Sequence, residues 1–192
     1  AYVYLCLIVD EERVWDEAPV SVGFDIVPGG NGGLPSAPGV GSGADTLIVV
    51  GPGDEASAYV RASNDYNALV LGQRLGYFDV DDVDLTEGSG VWNPQRLVVN
   101  RPLTVPVLEL EQPIEWHDLN PLPTGSSSPD DPRFDSRTVW AAREKTIELR
   151  VPWSMVGLSD PSSRAALVVS NDGSLSTVEV ERMGITVAVG QT

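Results

Sequence analysis

Apolar and polar positions along the chain repeat with a period of two in one short segment after another, which predicts strands rather than helices. Residues 2–9 are apolar at both sets of alternating positions, Tyr2, Tyr4, Cys6 and Ile8 on one and Val3, Leu5, Leu7 and Val9 on the other. That is the pattern of a strand buried on both faces in the middle of a sheet, and Cys6 within it reads as a small buried hydrophobe. Val20, Val22, Phe24 and Ile26 alternate with Ser21, Gly23 and Asp25, as in a half-buried strand with one wet face. Further strands are predicted over 46–50, 57–62, 103–110, 146–151, 166–170, 177–180 and 185–189. The one helical candidate is a single turn over 152–158, opened by Pro152. Short strands rich in Val, Ile, Leu and Thr, separated by clusters of Gly, Pro, Asp and Asn, predict an all-β fold: an antiparallel β-sandwich of jelly-roll or immunoglobulin-like type.

Three connections are long. The stretch 28–44 is almost entirely Gly, Pro, Ser and other small residues, so it is expected to run over the surface without packing a core of its own. The stretch 118–136 has the same character, and 76–93 mixes carboxylates with aromatics. No internal repeat or linker divides the sequence, and 192 residues suit one domain over 1–192. Its opening residue, Ala1, already reads as mid-strand, as expected for the C-terminal part of a longer polypeptide.

Charge narrows the list of partners. Twenty-eight Asp and Glu against twelve Lys and Arg leave a net charge of −16, a field that repels nucleic-acid phosphates and anionic lipid. No apolar run approaches the roughly twenty residues of a bilayer span, so membrane insertion is not expected. The single imidazole, His117, would have to serve any serine or cysteine nucleophile, and no G-x-S-x-G turn is present. A non-enzymatic role follows as the expectation. Hard-cation chemistry remains open, because Ca²⁺ takes six to eight oxygens from irregular loops. Asp79, Asp81, Asp82 and Asp84, with Glu87 close behind, form the tightest acidic cluster, although Asp84 and Gly90 stand where an EF-hand needs its glycine and its closing Glu. Among the five tryptophans, Trp15, Trp92 and Trp116 lie in or beside polar connections, where an indole is either a lid on the core or a stacking surface for a sugar ring.

The succession Tyr2-Val3-Tyr4-Leu5, Val9-Asp10, Trp15-Asp16-Glu17, Val20-Ser21-Val22-Gly23-Phe24-Asp25, then Ile147 to Trp153 and Leu167 to Asp172 resembles family-nine carbohydrate-binding modules and the related DOMON-like sandwiches. The resemblance implies a binding module of an extracellular or cell-surface protein that takes a polysaccharide or oligosaccharide and docks beside other domains of its parent. It also implies calcium, with Asp10, Asp16 and Asp25 as the nearest candidates. In that family two tryptophans clamp a terminal sugar. Trp15 stands at the first position, and no Trp follows Trp153 to supply the second. Two alternatives accompany this reading: a structural or interaction domain without sugar binding, and a haem-binding DOMON-type electron-transfer domain drawing on His117, Met155, Met183 or Lys145.

Overall fold

The computed structural model describes residues 2–30, 33–34, 43–77, 90–159, 162–170 and 174–190. It is mostly β, with antiparallel sheets. In chain order the strands are β1 (Tyr2–Ile8), β2 (Val20–Asp25), β3 (Thr46–Gly51), β4 (Glu55–Arg61), β5 (Trp92–Pro94), β6 (Arg96–Asn100) and β7 (Leu103–Val105). They continue as β8 (Leu110–Gln112), β9 (Glu115–Asp118), β10 (Trp140–Arg143), β11 (Thr146–Pro152), β12 (Ala165–Val169), β13 (Leu175–Glu179) and β14 (Gly184–Val189). A five-stranded sheet runs in the order β14-β2-β3-β4-β5, and a three-stranded sheet in the order β1-β11-β10.

The main core joins these two sheets. Val20, Val22, Phe24, Ile48, Val50, Ala56 and Ala58 from the larger one cluster with Val3, Trp140, Ile147, Leu149 and Val151 from the smaller. Each set occupies alternate positions of its strand, as a pleated sheet with one face on a core requires. Segment 119–123 ties the two sheets together along one side. Leu122 N donates to Ala56 O at 2.7 Å. The Asn120 carboxamide accepts from Ala58 N at 2.7 Å and donates to Ala58 O at 3.1 Å, replacing a strand neighbour. Buried Trp140 donates its Nε1 to Leu122 O at 3.1 Å.

Several expectations are corrected. β1 lies at the edge of its sheet, with β11 as its one neighbour among the described residues, and Cys6 on its outer face is exposed. β2 has no wet face, because Leu34 and Ala44 from the glycine-rich 28–44 connection close over its second side and cluster with Leu47. That connection therefore does pack a small core. Gly23 makes the approach feasible: a Cβ there would meet Ala44 Cβ at 2.9 Å and Leu34 Cδ2 at 3.0 Å. The single strand expected over 103–110 is instead β7 and β8 joined by a tight turn at Pro106–Leu108, since proline fixes its own φ and Glu109 turns left-handed at φ 50°. A helix at Asn67–Arg74 was also not foreseen. Asp65 starts it, its Oδ1 accepting from Ala68 N at 3.1 Å. The turn expected over 152–158 is present as one tight helical turn at Trp153–Val156.

Strands β6 to β9 form a narrow ribbon. β6 pairs with β9, and β7 with β8, while Leu97, Val99, Leu103, Val107, Leu108 and Leu110 stay exposed.

Candidate functional site

The tryptophans do not converge. Trp15 follows Arg13, which adopts a left-handed φ of 52° and starts the short turn Val14–Asp16. That turn drives the indole into the main core, where it is fully buried. A ring with no exposed face cannot stack on a sugar, so Trp15 is a packing residue. Trp92 on β5 packs against the small cluster of Leu34, Ala44 and Leu47 on the other side of the five-stranded sheet. Trp116 on β9 sits in the ribbon, opposite Val98 and 5.4 Å from the Arg96 guanidinium. These are three separate environments.

The acidic candidates also part company. Asp16 pairs with Arg13 at 2.6 Å, and Arg13 reaches Asp54 at 2.9 Å as well. These two carboxylates hold the Arg13 guanidinium well above its ordinary value. The Asp10 carbonyl accepts from Lys145 Nζ at 2.6 Å. Asp25 packs beside Gly43 and Gly184. Asp79, Asp81 and Asp82 lie outside the described residues. Among the described residues no three His, Cys, Asp or Glu side chains assemble in a way that would hold a metal ion. The haem candidates are dispersed too. His117 is exposed in the ribbon, Met155 packs on the core, and Lys145 is in the turn between β10 and β11.

Two concavities are candidates for a ligand. The smaller, about 250 Å³, is lined by Asp45, Asp65, Asn64, Asn67, Gln95 and Arg96 among apolar neighbours. Its polar groups are engaged by the protein itself. Asp45 Oδ2 accepts from Ile26 N at 2.7 Å and Val27 N at 2.8 Å, while Oδ1 lies 3.0 Å from Arg61 Nε. The Nε–H vector misses that oxygen, so the pair is coulombic, and Arg61 Nη1 donates instead to Gly29 O. Asp65 accepts from Ala68 N and, at 2.9 Å, from Asn93 Nδ2. Gln95 donates to Met155 O at 2.8 Å, Asn67 to Arg96 O at 2.9 Å, and Asn64 accepts from Val169 N at 2.9 Å. Burial raises the pKa of both Asp45 and Asp65 against the pull of these partners. This cavity is riveted for stability.

The larger concavity, about 730 Å³, lies across the outer face of β1, β11 and β10 under the 125–128 segment. The register fixes what faces outward. Tyr4 lies opposite Arg150, Cys6 opposite Glu148, and Ala141 opposite Glu148 from the other side. Directly opposed residues of an antiparallel pair share a face. Tyr4 is 67% exposed, and its ring centroid is 6.1 Å from that of Tyr2. The Arg150 guanidinium stacks 3.9 Å over the Tyr2 ring and is held there by donating to Ser136 O at 3.0 Å. The small side chains of Cys6 and Ala141 leave the floor low between Tyr4 and Arg143, and Ser126, Ser127 and Ser128 form a hydroxyl-bearing wall. The loop that carries the wall is anchored by two Asp-Arg pairs at i, i+2. Asp131 accepts from Arg133 N at 2.8 Å and Asp135 from Arg137 N at 2.8 Å. Both carboxyls are held below their ordinary pKa, Asp131 first by the Arg133 amide and Asp135 first by the Arg137 guanidinium. Arg143 and Arg150 balance Glu144 and Glu148 within the groove, so a chain of net charge −16 presents one locally neutral concave face.

Sequence reasoning missed Tyr2, Tyr4, Glu148 and Arg150 because a strand apolar on both faces was assigned to the interior. The available signal was the pair of tyrosines, whose hydroxyls are poorly suited to a dry core without partners.

No family model, no curated protein and no solved structure matches this chain.

Proposed function

We propose that the chain is a two-layer antiparallel β-sandwich that acts as a non-catalytic glycan-binding module of a larger extracellular or cell-surface protein, with the groove on β1, β11 and β10 as its site. The observation that carries this reading is the composition of that face. Exposed Tyr4 offers apolar surface to pyranose C–H groups, and the Arg150 guanidinium, stacked on Tyr2, stands beside it. The Glu148 carboxylate, which makes no ion pair or side-chain hydrogen bond among the described residues, accepts from sugar hydroxyls, and the serine wall and Arg143, which also pairs with Asp131 at 3.6 Å, supply donors. Local neutrality favours an uncharged polysaccharide or oligosaccharide, since the rest of the surface repels anions. The alternative, a structural or interaction domain without sugar binding, is favoured by the exposed apolar residues of the β6–β9 ribbon.

Affinity electrophoresis of the isolated chain in gels containing neutral polysaccharides tests the proposal. Retardation by at least one of them is expected. Tyr4→Ala should weaken it roughly tenfold, the worth of one aromatic contact, with Glu148→Gln also weaker. Trp15→Phe should leave it unchanged. No retardation on any neutral polysaccharide leaves the interaction-domain reading standing.

A further inference from the structure

Strand β1 pairs with β11 along one backbone edge, and its second backbone edge is unpaired among the described residues. What lies beneath that edge follows from how the two sheets are offset. β10 is tied to β4 through Leu122 and Asn120, and the turn after β11 reaches β3 through Thr46 Oγ1 and Met155 O at 3.4 Å. β11 thus lies toward β3 and β1 toward β2, so β14, the next strand of the larger sheet, projects beyond β1 as a ledge. Its side chains record the step. Ile185, Val187 and Val189 stand directly opposite Phe24, Val22 and Val20 and share their core-facing side. The three β2 residues are fully buried, whereas the three on β14 are 40%, 45% and 47% exposed. Leu5, Leu7 and Val9, on the inner side of β1, are only partly covered.

We infer that this step seats one additional β-strand: a single extended polypeptide segment with an apolar side chain at every second position and a basic residue at the end beside Asp10, Glu11 and Glu12. Three observations select that occupant. The open edge of β1 presents alternating N–H and C=O groups, which another extended backbone satisfies. The ledge offers Ile185, Val187 and Val189 two residues apart, a spacing matched by inward side chains of period two. The exposed acidic run directly after β1 includes Glu11 and Glu12, which form no ion pair among the described residues, and so favours a cation at that end. The same ledge argues against a second copy of the chain: edge-to-edge approach of another β1 would bring that molecule's own β14 into the occupied space. A lone strand fits where a sheet edge does not.

The test uses the whole chain and a short synthetic peptide that opens with two lysines and continues with Val and Thr in strict alternation, read by hydrogen exchange and by titration. The peptide is expected to slow exchange of the β1 and β14 amides roughly tenfold or more, and a peptide of equal length interrupted by proline is expected to do nothing. Val187→Lys sets a charge on the ledge and should weaken capture by roughly tenfold or more. Val187→Thr, a gentler change should the lysine variant unfold, should weaken it less. Tyr4→Ala, on the opposite face of β1, should leave capture intact, which separates this site from the glycan groove. The inference is overturned by absent protection, by equal binding of the interrupted peptide, or by unchanged affinity in both Val187 variants. A dimer that protects β1 without any peptide would equally overturn it.

Discussion

Removing the Asp45 carboxylate should be among the most damaging single changes in the molecule. In Asp45→Ala, the amides of Ile26 and Val27, now bonded at 2.7 and 2.8 Å, lose their acceptor inside the protein. Each stranded donor costs about 1–3 kcal/mol. The Arg61 guanidinium, buried 3.0 Å from Asp45, also loses its counter-charge and, among the described residues, keeps only its bond to Gly29 O. Because the three losses share one site they do not simply add, and a total of about 3–5 kcal/mol is expected. Asp45→Asn retains an oxygen for both amides and removes a charge that burial already disfavours, so it should cost about 1–2 kcal/mol. Pairing it with Arg61→Met removes the buried charges together, and the double variant should be less destabilised than the sum of the singles by about 1–2 kcal/mol. Urea denaturation at neutral pH measures the unsubstituted chain, the three single variants and the double variant, with the midpoint moving and the slope constant. A loss below about 1 kcal/mol in Asp45→Ala, or a strictly additive cycle, would refute the claim that this pair and its two amides act as one buried unit.

Stability should also depend on pH in a definite sense. Burial raises Asp45 and Asp65, so between the unfolded value near about 3.9 and the raised native value the folded state holds more protons, and stability falls as pH rises through that window. Asp131 and Asp135, held low by their arginines, contribute stability that is lost as pH falls below about 3.9. Melting temperature should therefore climb from neutral pH toward mildly acidic pH, helped by relief of the −16 charge, and drop in stronger acid; a monotonic fall from neutral pH would contradict these shifts. Gly23→Ala should cost about 1–3 kcal/mol by overpacking, because its new methyl meets Ala44 and Leu34 at 2.9 and 3.0 Å. A neutral effect in the same urea assay would mean that the 28–44 connection is not seated on the sheet.

The β-rich character was legible because period-two alternation at Val20–Phe24, Thr146–Val151 and Ile185–Val189 leaves little room for another reading. Strands with weak or mixed patterns were not. β5, with Trp92-Asn93-Pro94, and β9, with Glu115-Trp116-His117-Asp118, owe their extension to pairing with β4 and β6, which no local pattern reveals. The site was misplaced for a related reason. The charged neighbours of Trp15 in sequence point to an exposed indole, yet the left-handed Arg13 turns Trp15 inward. Conversely, two-faced hydrophobicity placed β1 at the centre of a sheet, whereas pairing puts it at an edge with Tyr4 facing outward. Local patterns report which residues prefer burial; the sheet order decides which of them obtain it.

Amide and side-chain chemical-shift mapping, performed with whichever neutral oligosaccharide is retained, tests the central claim most directly. Perturbations confined to Tyr2, Tyr4, Ser126–Ser128, Ala141, Glu148 and Arg150 are the predicted result. Perturbations centred on Trp92, on Trp116 or on the Asp45–Asp65 cavity, with the β1–β11–β10 face silent, would contradict it.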